Sequence, residues 1–188
     1  MKNFNLTIRQ HWGIFSAVLL TFGLFWIAIT ASVYPSALIT NTAPKSGFQA
    51  PEFSLTALDG QAYSTQQLQG KVAVINIWTT WCTFCSVEMP ALQSAYQSFS
   101  HQDVEFYAVN STSQDTLSAV QEFANRLGLT FPILLDDSGR VTRLYQVQAL
   151  PTTFILDRRG IIRSVIIGGP LTEALLQSQI SALINEVR

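Results

Sequence analysis

Charged residues are scarce in this 188-residue chain. Lys and Arg number 11, Asp and Glu number 12, and the formal net charge at pH 7 is −1. The basic residues are scattered along the sequence and form no patch of the kind that binds a phosphate backbone. The composition therefore gives no support for a nucleic-acid partner.

Histidine and cysteine are also rare, with two of each. His11 and His101 stand at no ligand spacing from each other, so Cys82 and Cys85 lack the two further ligands that a zinc site needs. Ser86 occupies the position where covalent c-type haem attachment requires His. The sequence accordingly predicts neither a metal site nor attached haem.

The two cysteines lie in Trp81-Cys82-Thr83-Phe84-Cys85, where an apolar run over residues 72–78 gives way to a helical pattern. Two thiols at this spacing can close a small disulfide ring in the first turn of a helix. The unpaired N–H groups and the positive dipole end of that helix favour a thiolate on the first cysteine. A purely structural disulfide is the alternative, but so short a loop removes little entropy from the unfolded chain. The motif therefore favours a reversible two-electron switch.

A long segment without charge, residues 13–33, lies near the N-terminus. A helix of this length, rising about 1.5 Å per residue, reaches about 30 Å and can cross a bilayer. Lys2 and Arg9 precede it and no cation follows before Lys45, so the positive-inside rule predicts a cytoplasmic N-terminus and an extracytoplasmic remainder. A cleavable signal peptide is the alternative, although its apolar region usually spans only about 7 to 15 residues. The length favours a retained anchor in the cytoplasmic membrane, with the cysteines in a compartment that permits disulfides.

Four regions follow from this segment: a cytoplasmic N-terminus (1–12), a transmembrane anchor (13–33), a linker with several Pro and Ser residues (34–51) and a globular domain (52–188). Strands are predicted at 53–58, 61–64, 71–78, 104–109, 131–135, 152–156 and 161–167, and helices at 82–99, 116–127 and 171–187. The alternation predicts an α/β domain whose mixed central sheet is covered by helices on both faces.

The cysteine motif has a companion about seventy residues later, Leu150-Pro151-Thr152-Thr153-Phe154. Together with the hydrophobic anchor, the two motifs resemble the thioredoxin superfamily. Within it the chain is most similar to the membrane-anchored thiol-disulfide oxidoreductases of the TlpA and ResA type, which are associated with cytochrome c maturation. The similarity covers residues 50–187. It implies a thioredoxin-like fold with an N-terminal hairpin and a strand-helix insertion, here expected within residues 110–132.

The resemblance assigns roles to individual residues. Cys82 is implied as the thiolate that attacks a partner, and Cys85 as the thiol that resolves the resulting mixed disulfide. Pro151 corresponds to the cis-proline of the family, opposite the disulfide, with Leu150 and Trp81 contributing to the substrate-binding surface. Without the resemblance, Pro151 would be interpreted as an ordinary trans proline at the start of a strand.

Glu88 is the third predicted catalytic residue. It belongs to an otherwise apolar or weakly polar stripe at helical spacing: Cys85, Glu88, Leu92, Ala95, Tyr96 and Phe99. A carboxylate facing the core would have a raised pKa and could exchange a proton with Cys85. A solvated Glu in an early helical turn is the alternative, and periodicity does not separate the two. The resembling family has an acidic residue at this spacing with the proton-transfer role.

The resemblance also implies partners. It predicts reduction of cysteine pairs in other proteins, apocytochrome c among them, and a membrane electron donor that restores the dithiol. No bound cofactor is required, since Cys82 and Cys85 carry the electrons themselves. Thr83 and Phe84 depart from the family, which frequently has proline before the second cysteine, so the direction of electron flow stays open.

Three other functions stay open from the sequence. One is a general envelope reductase or oxidant acting on spore or cell-wall proteins. Another is a thiol peroxidase, because related enzymes place Thr three residues before the reactive cysteine, as Thr79 precedes Cys82, although Ile75 stands where they have proline. The last is a membrane-tethered binding module without catalysis.

Overall fold

The computed structural model describes residues 19–23, 25, 26, 42–169 and 171–186. The chain divides into two compact units, Met1–Thr40 and Asn41–Arg188. In the first unit the described residues are helical and exposed, and the rings of Phe22 and Trp26 stack with their centroids 6.4 Å apart. Most of the predicted anchor, residues 13–33, lies outside the described residues. No helix within the described ranges has both the length and the apolar character that crossing a bilayer requires.

The second unit is built on a five-stranded mixed sheet with a separate two-stranded hairpin. The strands are β1 (Ser54–Thr56), β2 (Ala62–Ser64), β3 (Val72–Trp78), β4 (Val104–Asn110), β5 (Ile133–Leu135), β6 (Thr152–Leu156) and β7 (Ile162–Ile167). Strands β1 and β2 form the hairpin, and the large sheet has the order β5-β4-β3-β6-β7. The neighbours β3, β4 and β5 are parallel, whereas β6 and β7 each run antiparallel to the preceding strand in that order. The predicted hairpin and mixed sheet are confirmed.

Strand β3 is central because both of its faces are apolar and all seven of its residues are buried. Successive side chains point to opposite faces, so Val74 and Trp78 join one core while Ile75 and Ile77 join the other. Asn76 alternates with the second set and therefore faces the same side as Trp78.

Four helices flank the sheet: α1 (Thr83–Phe99), α2 (Leu117–Leu127), α3 (Arg140–Leu144) and α4 (Glu173–Ile184). Buried side chains of α1, α2 and α4 share one core cluster, while α3 contributes Val141 to the cluster on the other face. Gly128 ends α2 in the left-handed conformation, with φ of 62°, which glycine adopts without strain.

Some predicted boundaries are wrong. The closing helix begins at Glu173 rather than 171, because Thr172 is its N-cap and accepts a hydrogen bond from the Leu175 N–H. The short helix α3 was not predicted, since five residues carry too little periodicity. The insertion predicted within 110–132 extends further, because its strand β5 follows its helix and ends at Leu135.

Part of the predicted linker packs on the domain. The Gly47 N–H donates to the Ile162 carbonyl, the Ile162 N–H donates to the Phe48 carbonyl, and the Ala50 N–H donates to the Gly160 carbonyl. Ala50 is itself buried. The residues between 42 and 51 therefore extend the folded unit beyond its predicted start at residue 52.

Candidate active site

The two motifs meet at one edge of the sheet because of strand direction. Strand β3 ends at Trp78, and the chain then continues to Cys82 at the start of α1. Strand β6 runs antiparallel to β3 and pairs Thr152 with Ile77, so its beginning, just after Pro151, lies at the end of β3. Strand β7 pairs Ile167 with Thr152, which brings its own end to the same edge. Topology thus gathers three distant segments of sequence at one place.

Cys82 and Cys85 form a disulfide, with their Cα atoms 5.2 Å apart. Cys82 is the N-cap of α1, and its Sγ accepts a hydrogen bond of 3.2 Å from the Cys85 N–H. Its sulfur therefore lies at the positive end of the helix dipole, where a thiolate is favoured. Cys82 retains 7 % of its surface whereas Cys85 has none exposed, so an external thiol or disulfide meets Cys82 first.

Glu88 lies in the core, with only 1 % of its surface exposed. Its Oε1 accepts a hydrogen bond of 2.7 Å from Asn76 Nδ2, and its Oε2 accepts one of 3.2 Å from the Leu171 N–H. Burial raises the pKa of Glu88 from 4.5 to about 7, although both hydrogen bonds act to lower it. The solvated alternative for Glu88 is therefore wrong. A carboxyl group that titrates near neutral pH, one helical turn from Cys85, can accept or return a proton during thiol exchange.

Asn76 and Thr153 were missed by the sequence analysis. Asn76 Nδ2 donates to Glu88 and also to Thr153 Oγ1 at 2.8 Å, while its Oδ1 has no partner among the described residues. Both residues are buried in the central strands β3 and β6. A polar residue inside the apolar run 72–78 was the available signal, because a buried amide needs a partner to offset its desolvation. Asn76 limits the rise in the Glu88 pKa by donating to the ionised form.

A second group missed from the sequence fixes the loop before Cys82. Asp115 accepts hydrogen bonds from the Thr80 N–H and hydroxyl, both at 2.7 Å, from Asn110 Nδ2 at 3.1 Å and from the Thr116 N–H at 2.9 Å. Partial burial raises the pKa of Asp115, but these four hydrogen bonds outweigh it and leave the pKa below its ordinary value. The carboxylate thereby joins the end of β4 to the loop that presents Cys82.

We expect Asp115→Ala to lower the free energy of unfolding by about 2 kcal/mol, since several partly buried donors lose a charged acceptor. Because the pKa of Asp115 is depressed in the folded state, this loss should be present at neutral pH and shrink as the pH falls through that pKa. Urea unfolding of wild type and variant across acid and neutral pH measures it. Asp137→Ala removes an exposed aspartate whose side chain has no hydrogen bond or ion pair among the described residues, and an equal effect in that control would contradict the assignment.

An open groove of about 440 Å³ lies beside the exposed edge of the disulfide. Its lining residues carry no charge: Trp81, Cys82, Thr83, Phe84, Gln114, Thr142, Val147, Gln148, Ala149 and Leu150. Trp81 is 60 % exposed, and its Nε1 donates a hydrogen bond of 2.9 Å to the Gln114 carbonyl, which fixes the ring on the groove wall. The Leu150–Pro151 peptide bond is cis, the isomer that the resemblance implies. The structure therefore brings every predicted site residue to this one edge of the sheet.

Comparison with known proteins agrees with this geometry. The model of the AhpC/TSA family matches residues 46–165, more than half of the chain. The chain belongs to that family. It is 40 % identical over 141 residues to the thiol-disulfide oxidoreductase ResA of Geobacillus kaustophilus, an alignment that covers 75 % of this chain and 80 % of the relative.

Solved structures that are similar to this chain indicate the same enzyme class. StoA from Bacillus subtilis superimposes with a TM-score of 0.62 at 30 % identity, covering 68 % of this chain and 95 % of StoA. A secreted disulfide oxidoreductase of Mycobacterium tuberculosis, homologous to E. coli DsbE, gives 0.62 at 28 %, covering 70 % and 96 %. The protein is a thiol-disulfide oxidoreductase of the ResA, StoA and DsbE type, with the thioredoxin-like fold that the sequence predicted.

Proposed function

We propose that this oxidoreductase reduces disulfides in partner proteins on the extracytoplasmic side of the membrane, with apocytochrome c among its substrates. The observation that carries the proposal is the Cys82–Cys85 disulfide at a helix N-terminus, with the buried Glu88 below it and an uncharged groove beside it. The segment 13–33 anchors the chain, and a membrane protein supplies electrons. The secreted relative from Mycobacterium tuberculosis supports the compartment, and the ResA relatives support thiol-disulfide exchange as the reaction.

The reaction balances without a cofactor. The Cys82 thiolate attacks one sulfur of the substrate disulfide, and the first substrate thiolate leaves and takes a proton from water. Glu88 then accepts the proton of the Cys85 thiol, and the Cys85 sulfur attacks the Cys82 Sγ. The second substrate thiolate leaves, so the substrate gains two electrons and the enzyme becomes the disulfide. The membrane donor returns two electrons to the pair.

The chemistry of the groove indicates what kind of substrate segment fits. With no charged lining residue, binding relies on apolar contacts near Trp81 and Leu150 and on hydrogen bonds with main-chain groups and uncharged polar side chains. Such contacts favour an extended segment with small or apolar side chains beside its cysteine, and they make affinity insensitive to salt.

We expect the reduction potential of the full chain, in detergent and equilibrated with defined thiol-disulfide buffers, to lie at or below about −220 mV. Trp78 and Trp81 lie close to the pair in sequence, so tryptophan fluorescence follows its redox state. A disulfide-bonded peptide with the Cys-x-x-Cys-His pattern of c-type haem attachment tests the substrate directly. A potential near about −120 mV, or a peptide left oxidised, would show that electrons flow the other way or to other substrates.

A thiol peroxidase is the second candidate, and one observation favours it. Thr79, three residues before Cys82, is fully buried, and its hydroxyl has no partner in the described part of the chain. Such a hydroxyl could donate to a thiolate or to a peroxide. Consumption of hydrogen peroxide by the reduced protein, at a rate that Thr79→Val abolishes, would replace the reductase proposal with this one.

A further inference from the structure

Gly169 differs from the other glycines of the second unit. The other seven have φ between 62° and 88°, a range that side chains rarely adopt: Gly47, Gly60, Gly70, Gly128, Gly139, Gly160 and Gly168. The φ of Gly169 does not lie in that range, so a left-handed backbone does not account for the glycine. The absence of a side chain there needs a different reason.

The reason lies in what a side chain would meet. A Cβ on Gly169 would be 3.3 Å from Glu88 Oε2, 3.3 Å from Phe84 Cβ and 3.5 Å from Pro151 Cγ. The first two distances are tighter than ordinary carbon contacts, so the neighbours would have to yield. Gly169 itself is exposed, whereas Glu88 is buried. The carboxylate therefore lies directly beneath a surface residue that has no side chain to cover it.

Gly168 and Leu171, which lie on either side of Gly169, each donate a main-chain hydrogen bond. Before it, the Gly168 N–H donates a hydrogen bond of 2.8 Å to the Pro151 carbonyl. After it, the Leu171 N–H donates to Glu88 Oε2 at 3.2 Å. These two bonds attach the backbone at Gly168 to Pro151 and the backbone at Leu171 to the Glu88 carboxylate.

The absence of a side chain at Gly169 matters because the hydrogen-bond partners of Glu88 include no group that can accept its proton. Asn76 Nδ2 and the Leu171 N–H are both donors to the carboxylate, and neither can accept its proton. Among the described residues, Glu88 accepts from Asn76 of β3 and from the Leu171 N–H before α4, while Thr153 of β6 is bonded to Asn76, and none of these three groups is charged. The titratable neighbours on α1 itself are Cys82 and Cys85.

We propose that Gly169 is a positioning residue that keeps Glu88 in proton exchange with water, so that the carboxyl group can serve Cys85 in each turnover. This rests on the proposed role of Glu88. Glu88 must be ionised when the Cys82 mixed disulfide forms, because only the carboxylate can take the Cys85 proton, and in the reduced protein it reaches that state by exchanging its proton with solvent. A methyl group at position 169 occupies the space above Glu88, displaces its carboxylate and excludes water from that carboxylate.

The reduced full chain mixed with dithiobis(nitrobenzoate) separates the steps. The first nitrothiolate is released when Cys82 attacks, and the second when Cys85 attacks the mixed disulfide. We expect Gly169→Ala to slow the second release about tenfold at neutral pH and to move its pH midpoint upward, while the first release changes less than twofold. Gly169→Ser, of similar size, should restore most of the rate because its hydroxyl can hydrogen-bond Glu88 and relay the proton.

Each outcome decides the proposal. Unchanged second release in Gly169→Ala overturns it, as does equal slowing of both releases, or a serine variant as slow as the alanine one. Ile167→Ala, which alters an exposed apolar side chain just before the segment, should leave the pH midpoint unchanged. If Glu88→Gln also leaves the second release unchanged, the role of Glu88 fails; if Glu88→Gln slows it but Gly169→Ala does not, only the role of Gly169 fails. Circular dichroism verifies that each variant is folded.

Discussion

Replacing Cys82 with Ser is expected to reduce turnover of a protein disulfide to the rate of buffer alone. The cause is loss of the only sulfur of the pair that retains exposed surface, since Cys85 is fully buried and cannot meet a folded partner. A serine hydroxyl at the same helix N-terminus stays protonated at neutral pH and is a far weaker nucleophile than a thiolate. The measurement is reduction of a disulfide-bonded protein in the presence of a thiol donor that recycles the enzyme.

Cys85→Ser is the matched variant and should behave differently. The Cys82 thiolate remains, attacks and forms a mixed disulfide, but no second sulfur is present to resolve it. Intact-mass spectrometry should therefore detect a covalent adduct with the substrate in Cys85→Ser and none in Cys82→Ser. An adduct in Cys82→Ser instead would reverse the two roles. Full activity in Cys82→Ser would contradict dithiol chemistry at this site altogether.

Glu88→Gln is expected to remove a pH-dependent loss of stability. Because the folded pKa of Glu88, about 7, lies above its ordinary 4.5, the native state holds a proton that the unfolded state has released between these values. The stabilising contribution of the protonated Glu88 is fully present below about pH 4.5 and is lost as the pH rises through 7. By pH 8 this loss lowers the free energy of unfolding by roughly 3 kcal/mol. The wild type should therefore weaken from pH 5 to pH 8 relative to Glu88→Gln by about 2.5 kcal/mol, because a small part of the effect is already lost at pH 5.

Urea unfolding of the oxidised proteins at both pH values measures this difference. Gln supplies only one acceptor oxygen, so one of the donors from Asn76 and Leu171 loses its bond, and the variant is expected to be less stable than wild type at pH 5. Glu122→Gln, an exposed change on α2, should follow the wild type at both pH values. A gap between wild type and Glu88→Gln that does not change with pH would show that Glu88 ionises normally.

The periodicity of the sequence accounts for most of the fold that was predicted. The unbroken apolar run of β3 indicates a strand covered on both faces, and Asp59-Gly60 indicates the hairpin between β1 and β2. Short elements could not be predicted from periodicity. Helix α3 spans less than two turns, so no hydrophobic period can be measured in it. The packing of the stretch between 42 and 51 was not predicted, because the main-chain groups that hold it to the domain, at residues 160–162, lie more than a hundred positions away.

The sequence by itself determined the reacting atoms: one cysteine pair at a strand-to-helix junction, a glutamate one turn later and a proline motif near the end. The cysteine pair is a local pattern that the physics of helix termini suffices to interpret, whereas the roles of Glu88 and Pro151 came from the resemblance to a known family. Only the tertiary structure decided the environment of Glu88, namely its hydrogen bonds from Asn76 and Leu171, its burial and its cover by Gly169. The sheet joins these residues across gaps of 12, 83 and 81 positions. A pKa is set by everything within a few ångströms in space, and that neighbourhood is assembled only when the antiparallel strands bring their ends to the same edge.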